Sequence, residues 1–384
     1  MKQTGTFKNG ISRRKFLGSS AAAAALTMVP FSYGFKENDA AGPQASGKPD
    51  SKFGGVQMGA ITYSWRSMPG GLENVVKYCK EAGLSSIELM SGDLEDYLGA
   101  PKNPMARPAG PPPAGAAPGG APPAGGPPQA GSPPPAGAAQ GGAPGAARPA
   151  AAQGGGSQRQ PLTPEQEAAR AKYAQDLKDW RVGLNMSKVA AAKKLFDDAG
   201  IGIHIVKFSP GRWSDEEIDY AFKAAKAMGA KGVCDEIGED AVKKMAPIAE
   251  KHGMYAVFHN HMQFATEGFS YDPFLAVSPA VMMNFDAGHF FGSTGIHPNT
   301  IIEKYHDRLF SVHMKDKTGP KTDPPNQNQV WGQGEVPIAD ILLLIKKNKW
   351  PLYCDIELEY DVKPWSNPVK EVRTCIQYAR NILI

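Results

Sequence analysis

Two of the chain's eight histidines lie two residues apart in Y-A-V-F-H-N-H, where a strand-forming run ends in His259-Asn260-His261. Three later apolar runs end in the same way. N-F-D-A-G-H carries Asp286 and His289, V-H-M-K-D carries His313, Lys315 and Asp316, and I-E-L-E-Y carries Glu357 and Glu359. Each residue alone has an ordinary reading. A strand-end histidine is more often a satisfied polar group than a ligand, Asp286 before Ala-Gly suits a turn or a helix cap, and the two glutamates suit a solvated loop. Four successive segments ending in His, Asp, His and Glu are harder to explain that way, because buried imidazoles and carboxylates at this density need partners or a metal. Two nitrogen and two oxygen donors suit a divalent ion such as Mn, Co, Zn, Fe or Ni. Residues two apart share a strand face, so His259 and His261 both point inward only if the strand persists. Either Glu357 or Glu359 supplies the last carboxylate.

Strands must bring these ends together. Candidates lie at 57–63, 85–90, 202–208, 231–236, 254–259, 281–286, 309–314 and 352–358. Amphipathic helical patterns fall between them at 72–82, 188–199, 215–228, 240–252, 299–306, 338–347 and 368–381. Several stop at a glycine, as at Gly83, Gly200, Gly229 and Gly253, the αL signal that ends helices. Alternating strands and helices imply parallel pairing with right-handed crossovers. Eight units fit an α/β fold of the closed (β/α)8 TIM barrel type. An open doubly wound sheet is the alternative, but the first strand runs into Thr62-Tyr63-Ser64-Trp65 and not into a glycine-rich phosphate turn. In a barrel the strand carboxyl ends form the active-site face, so the four polar ends converge there.

The rest of the chain bounds the reading. It has 384 residues, 41% hydrophobic and 21% charged, with a net charge of +4, an ordinary globular balance with no basic stripe for nucleic acid. Ser12-Arg13-Arg14-Lys15-Phe16-Leu17 precedes a mild apolar run, which resembles a twin-arginine export signal and predicts a leader over residues 1–40 and a periplasmic or otherwise exported protein. That run is too short and alanine-rich for a stable membrane span in the mature form. Cys79, Cys234, Cys354 and Cys375 form no C-x-x-C and read as buried free thiols. Residues 101–160 are Pro/Gly/Ala-rich, without means to bury a core. They predict a disordered insertion over 101–162, after strand two of a barrel domain spanning 50–384.

These motifs resemble the xylose isomerase-like TIM barrel family of sugar phosphate isomerases and epimerases, which also holds ketose 3-epimerases, inosose dehydratases and hydroxypyruvate isomerases. The resemblance covers residues 57–384 apart from the insertion, and rests on F-H-N-H, N-F-D-A-G-H, V-H-M-K-D and I-E-L-E-Y. It implies one divalent cation, with Mn favoured and Co, Zn, Fe, Ni or Mg as alternatives, held by strands five to eight. Asp286, His313 and Glu357 match three of the ligands, and His259 stands where many members have glutamate. The implied catalytic set is Glu357, His259, His289 and Lys315. The implied substrate contacts are His261, Asn260, Asp316 and Glu236. Replacing one glutamate by His259 unsettles a symmetric two-glutamate epimerisation. Glu88, Lys207, Glu236 and Lys315 are the candidates for a second base. Barrels of this family often form dimers or tetramers, so a homo-oligomer is among the expectations.

The implied activity is isomerisation or epimerisation by enediolate chemistry on a small carbohydrate or keto-sugar, with dehydration of a keto-sugar or cyclitol as the alternative, according to where the proton returns or a hydroxyl leaves. A non-catalytic sugar-binding barrel is one alternative. A nuclease-like multi-metal enzyme is a weaker one, disfavoured by the modest charge. Trp65, Trp213, Trp331, Phe290 and Phe291 lie near the expected site, where they suit sugar stacking or loop packing equally, and Trp65 is counted among the candidate substrate contacts.

Overall fold

The structure is a computed structural model that describes residues 47–105 and 162–384. The leader expected over 1–40 lies outside the described residues, as does the 101–162 insertion except for 101–105 and 162.

Eight parallel strands form the barrel: β1 (Val56–Ile61), β2 (Ser86–Met90), β3 (Gly202–Lys207), β4 (Gly232–Glu236), β5 (Tyr255–His259), β6 (Val281–Asp286), β7 (Leu309–Met314) and β8 (Tyr353–Ile356). Each pairs with the next, and β8 pairs with β1 in the register Tyr353↔Gln57 to Ile356↔Ala60, which closes the ring. Every expected strand is found, although the last ends at Ile356, so Glu357 sits just beyond it. An extra antiparallel pair, Lys52–Phe53 with β1, extends the sheet below the barrel.

Helices cover the outside because their apolar stripes match the strands' outer faces. Leu72–Ala82, for example, buries Leu72, Val75, Tyr78, Cys79 and Ala82, spaced at three or four residues. Gly83 then ends that helix at φ 82°, a conformation that favours glycine. All four cysteines are free and buried.

Pro164–Gly183 is a helix that hydrophobic periodicity does not reveal, because of its 20 residues only Arg181 is buried. Its local signal is T-P-E-Q: Thr163 and Gln166 form a reciprocal capping box with proline at the first helical position. Arg181 then anchors it, donating to Glu95 at 2.9 and 3.1 Å and to Glu217 at 3.1 Å, with its guanidinium 3.5 Å from the Trp213 ring centroid.

Two bulges shape the barrel interior. Ile87 pairs with Ile203 but Glu88 pairs with Ile205, so His204 is the extra residue on β3. Met283 pairs with Leu309 but Asn284 pairs with Ser311, so Phe310 is extra on β7. A bulge re-aims a side chain, and both rings turn inward onto Tyr353, at centroid distances of 4.2 Å for His204 and 5.4 Å for Phe310. They stack with it below Ile205, Cys234 and Val257, the inner apolar layer. His204 also bonds Ser86 at 2.9 Å and Asp355 at 2.8 Å. A Cβ on Gly59 would meet Asp355 Oδ1 at 2.1 Å, so only glycine fits opposite that carboxylate.

Candidate functional site

The polar strand ends meet above this apolar layer. His259, the last residue of β5, is 2% exposed. Its Nε2 faces Asp286 Oδ2 at 3.3 Å and its Nδ1 faces Glu236 Oε2 at 3.1 Å. Asp286 ends β6 and caps the helix Ala287–Thr294: Oδ1 accepts from the His289 amide at 2.7 Å, which leaves Oδ2 free to point inward. Cap and candidate ligand are therefore two oxygens of one carboxylate. His313 on β7 is fully buried, with Nδ1 2.8 Å from Glu357 Oε2 and Nε2 2.7 Å from Glu88 Oε2. One donor atom from each of His259, Asp286, His313 and Glu357 lies within 4.8 Å of the others.

Lys315 lies at the centre of the acidic groups. Its ammonium is 2.8 Å from Asp286 Oδ2, 2.8 Å from Glu357 Oε2 and 2.7 Å from Glu359 Oε2. Burial opposes the charge on Asp286, but His289, Lys315 and His259 hold its carboxyl well below the usual range. Burial likewise opposes the charge on Glu357, and Lys315 and His313 hold it far down. Against its own burial, His313 is raised well above the ordinary imidazole value by Glu357 and Glu88. One ammonium thus serves three carboxylates, and two of these share the cluster with the two imidazoles. This donor set fits a borderline divalent cation, for which His259, Asp286, His313 and Glu357 would supply two nitrogens and two oxygens.

Two more histidines stand beside the cluster, His261 exposed and His289 largely buried. His289 has both ring nitrogens buried without a hydrogen-bond partner, and burial pushes it down to about 4. His261 is bonded by Glu236 at 3.0 Å, which raises it. The two rings lie 5.1 Å apart. Glu236 Oε1 in turn accepts from Lys207 at 2.6 Å.

Three of the expected contacts have structural partners of their own. Asn260 is fully buried, and its amide is committed to structure: Oδ1 accepts from the Asp286 amide at 2.9 Å and from the Tyr271 hydroxyl, and Nδ2 donates to backbone oxygens. Asp316 spends both oxygens on backbone amides, those of Lys317 and Val336 on Oδ1 and of Gly332 and Gly334 on Oδ2. It organises the Trp331-Gly332-Gln333-Gly334 loop. Trp65 packs into the core against Tyr78, with ring centroids 5.7 Å apart. Trp331 is buried against Tyr378, and Trp213 is taken up by Arg181. Sequence reading overlooked Asn284, which donates to Glu88 Oε2 at 2.8 Å. Its position two residues before Asp286, on the same strand face, was the available signal.

Known proteins agree with this architecture. The xylose isomerase domain protein of Alicyclobacillus acidocaldarius superposes with a TM-score of 0.51 at 11% identity, covering 85% of this chain and 99% of that one. D-Psicose 3-epimerase from Clostridium cellulolyticum H10, solved with D-tagatose, superposes with a TM-score of 0.50 at 9% identity, covering 85% and 99%. At these identities the likeness concerns the fold. In sequence, an inosose dehydratase of Clostridium beijerinckii is 34% identical over 80 residues, which span 20% of this chain and 26% of that enzyme. The family model described as xylose isomerase-like TIM barrel matches residues 183–382, more than half of the 384, and so this chain belongs to that family.

Proposed function

We propose that this protein is a metal-dependent isomerase or epimerase of a small carbohydrate or keto-sugar. The observation that carries the reading is the convergence of His259, Asp286, His313 and Glu357, four buried donors from consecutive strands within 4.8 Å of one another. A divalent cation held there would polarise a substrate carbonyl and offset the charge that builds on its oxygen when a neighbouring proton leaves.

The remaining steps fall to the chain's own groups. His289 has both nitrogens free and is neutral above about pH 4, so it is suited to accept a proton. His261, the more exposed of the two, is raised by Glu236 and suited to donate one. Two titratable groups pushed apart by their surroundings are the usual mark of an acid and a base. Lys315 holds Asp286, Glu357 and Glu359 in place through its ammonium.

Dehydration is the second reading. It is favoured by His259 in place of a carboxylate on β5 and by the partial match to an inosose dehydratase. The paired arginines of residues 13–14 support export, which favours an unphosphorylated sugar. Elemental analysis of the purified protein, beside an Asp286→Ala/His313→Ala variant, tests the centre. About one transition metal per chain, lost in the variant, is the expected result. A protein that carries no metal and takes none up refutes the reading. Solvent deuterium exchange into keto-sugars would then separate proton transfer from elimination.

A further inference from the structure

We propose that Glu88 is a positioning residue for this centre: through the ring of His313 it presents Nδ1, and not Nε2, to the cation. The inference rests on the metal-centred reading above.

Glu88 is the third residue of β2, far in sequence from the ligand strands, and it is fully buried. A carboxylate in a barrel interior is costly unless it is paired. Glu88 Oε2 has two partners, His313 Nε2 at 2.7 Å and Asn284 Nδ2 at 2.8 Å. An ionised carboxylate only accepts hydrogen bonds, so both nitrogens must donate to it. The 2.9 Å approach of Asn284 Nδ2 to His313 Nε2 is then a meeting of two donors on one shared oxygen. With Nε2–H committed to Glu88, Nδ1, which faces Glu357 Oε2 at 2.8 Å, is the nitrogen that a cation would take, its proton leaving to solvent. Histidines that bind metals typically give their other N–H to a carboxylate, which fixes tautomer and ring orientation. Asn284 holds Glu88 from β6, two residues before the candidate ligand Asp286. One polar bridge thus ties β2, β6 and β7 beneath the centre. The competing assignment makes Glu88 a ligand itself, since donor atoms of Glu88, His313 and Asp355 also gather within 4.8 Å.

The test uses the full chain. Affinity for Mn(II) and Zn(II) is measured by competition with a fluorescent chelator for the unaltered protein, Glu88→Gln and Glu88→Asp, with circular dichroism to confirm folding. Glu88→Gln should weaken binding about 10- to 100-fold and Glu88→Asp should recover part of it. In the Zn(II)-loaded unaltered protein, 15N imidazole spectra should show His313 as the Nε2–H tautomer. Unchanged affinity in a folded Glu88→Gln, or an Nδ1–H tautomer, overturns the proposal. The tautomer reading needs no variant and decides the matter if Glu88→Gln fails to fold. Abolished metal binding in a folded Glu88→Gln, not recovered by Glu88→Asp, makes Glu88 a ligand and also overturns it. Absence of metal uptake by the unaltered protein defeats the metal-centred reading together with this one, whereas uptake with an unaffected Glu88→Gln defeats this one alone.

Discussion

Replacing Lys315 by Gln should make stability depend on metal to a degree that the unaltered protein does not. The ammonium is 2% exposed and lies within 2.8 Å of Asp286, Glu357 and Glu359. Removing one partner of a buried ion pair costs about 3–5 kcal/mol, because the charges left behind are uncompensated. For a barrel of this size about 1 kcal/mol corresponds to roughly 2 °C, so chelator-treated Lys315→Gln should melt roughly 6–10 °C below the unaltered protein. A divalent cation among the same oxygens supplies the missing positive charge. It should return most of that loss, in addition to the ordinary gain of about 2.7 kcal/mol at a hundred times Kd. Differential scanning calorimetry with and without Mn(II) gives the four melting temperatures. An equal drop in both conditions would mean that Lys315 and the cation do not share the carboxylates. No drop under chelation would mean that the ammonium is not what balances them.

Other outcomes follow from groups outside the donor cluster. Asp316→Ala leaves four backbone amides without their acceptor, so hydrogen exchange should quicken at Gly332, Gly334 and Val336, with a stability loss of about 1–3 kcal/mol by urea titration. Protection unchanged at those amides would show that the loop holds itself. Burial opposes the charge on Asp219, but Lys223, Lys251 and His252 hold its carboxyl far below the ordinary value. Its contribution is therefore fully present above about pH 4 and is lost as pH falls below that. Asp219→Asn should flatten the acid limb of the stability profile, and an unaltered limb would contradict this.

Much of the barrel was legible in the chain because parallel strands covered on both faces read as short apolar runs, and the glycine stops mark where each helix ends. The candidate donors were legible for a related reason. Polar residues at the end of an apolar strand have one place to go in a closed barrel, and His259, Asp286, His313 and Glu357 meet there. Sequence spacing could not assign hydrogen bonds. Asn260 and Asp316 look like substrate contacts as residue types, yet their acceptors satisfy backbone amides that the sharp strand-to-loop turns leave unpaired. Trp65 sits at the expected loop but turns into the core, where its area is buried.

Residue types and the order of strands and helices were thus determined by the sequence itself, since apolar runs and helix stops are local properties. Tertiary structure alone decided three things. Bulges put His204 and Phe310 inside the barrel against the alternation that would have turned them outward. Closure of the ring brought Glu88 on β2 to His313 on β7, across 225 positions of chain. The same closure set the Lys315 ammonium among three carboxylates. The bulges arise in the pairing of neighbouring strands, and the other two depend on which strands face one another across a closed cylinder, a geometry that exists only once β8 has paired with β1.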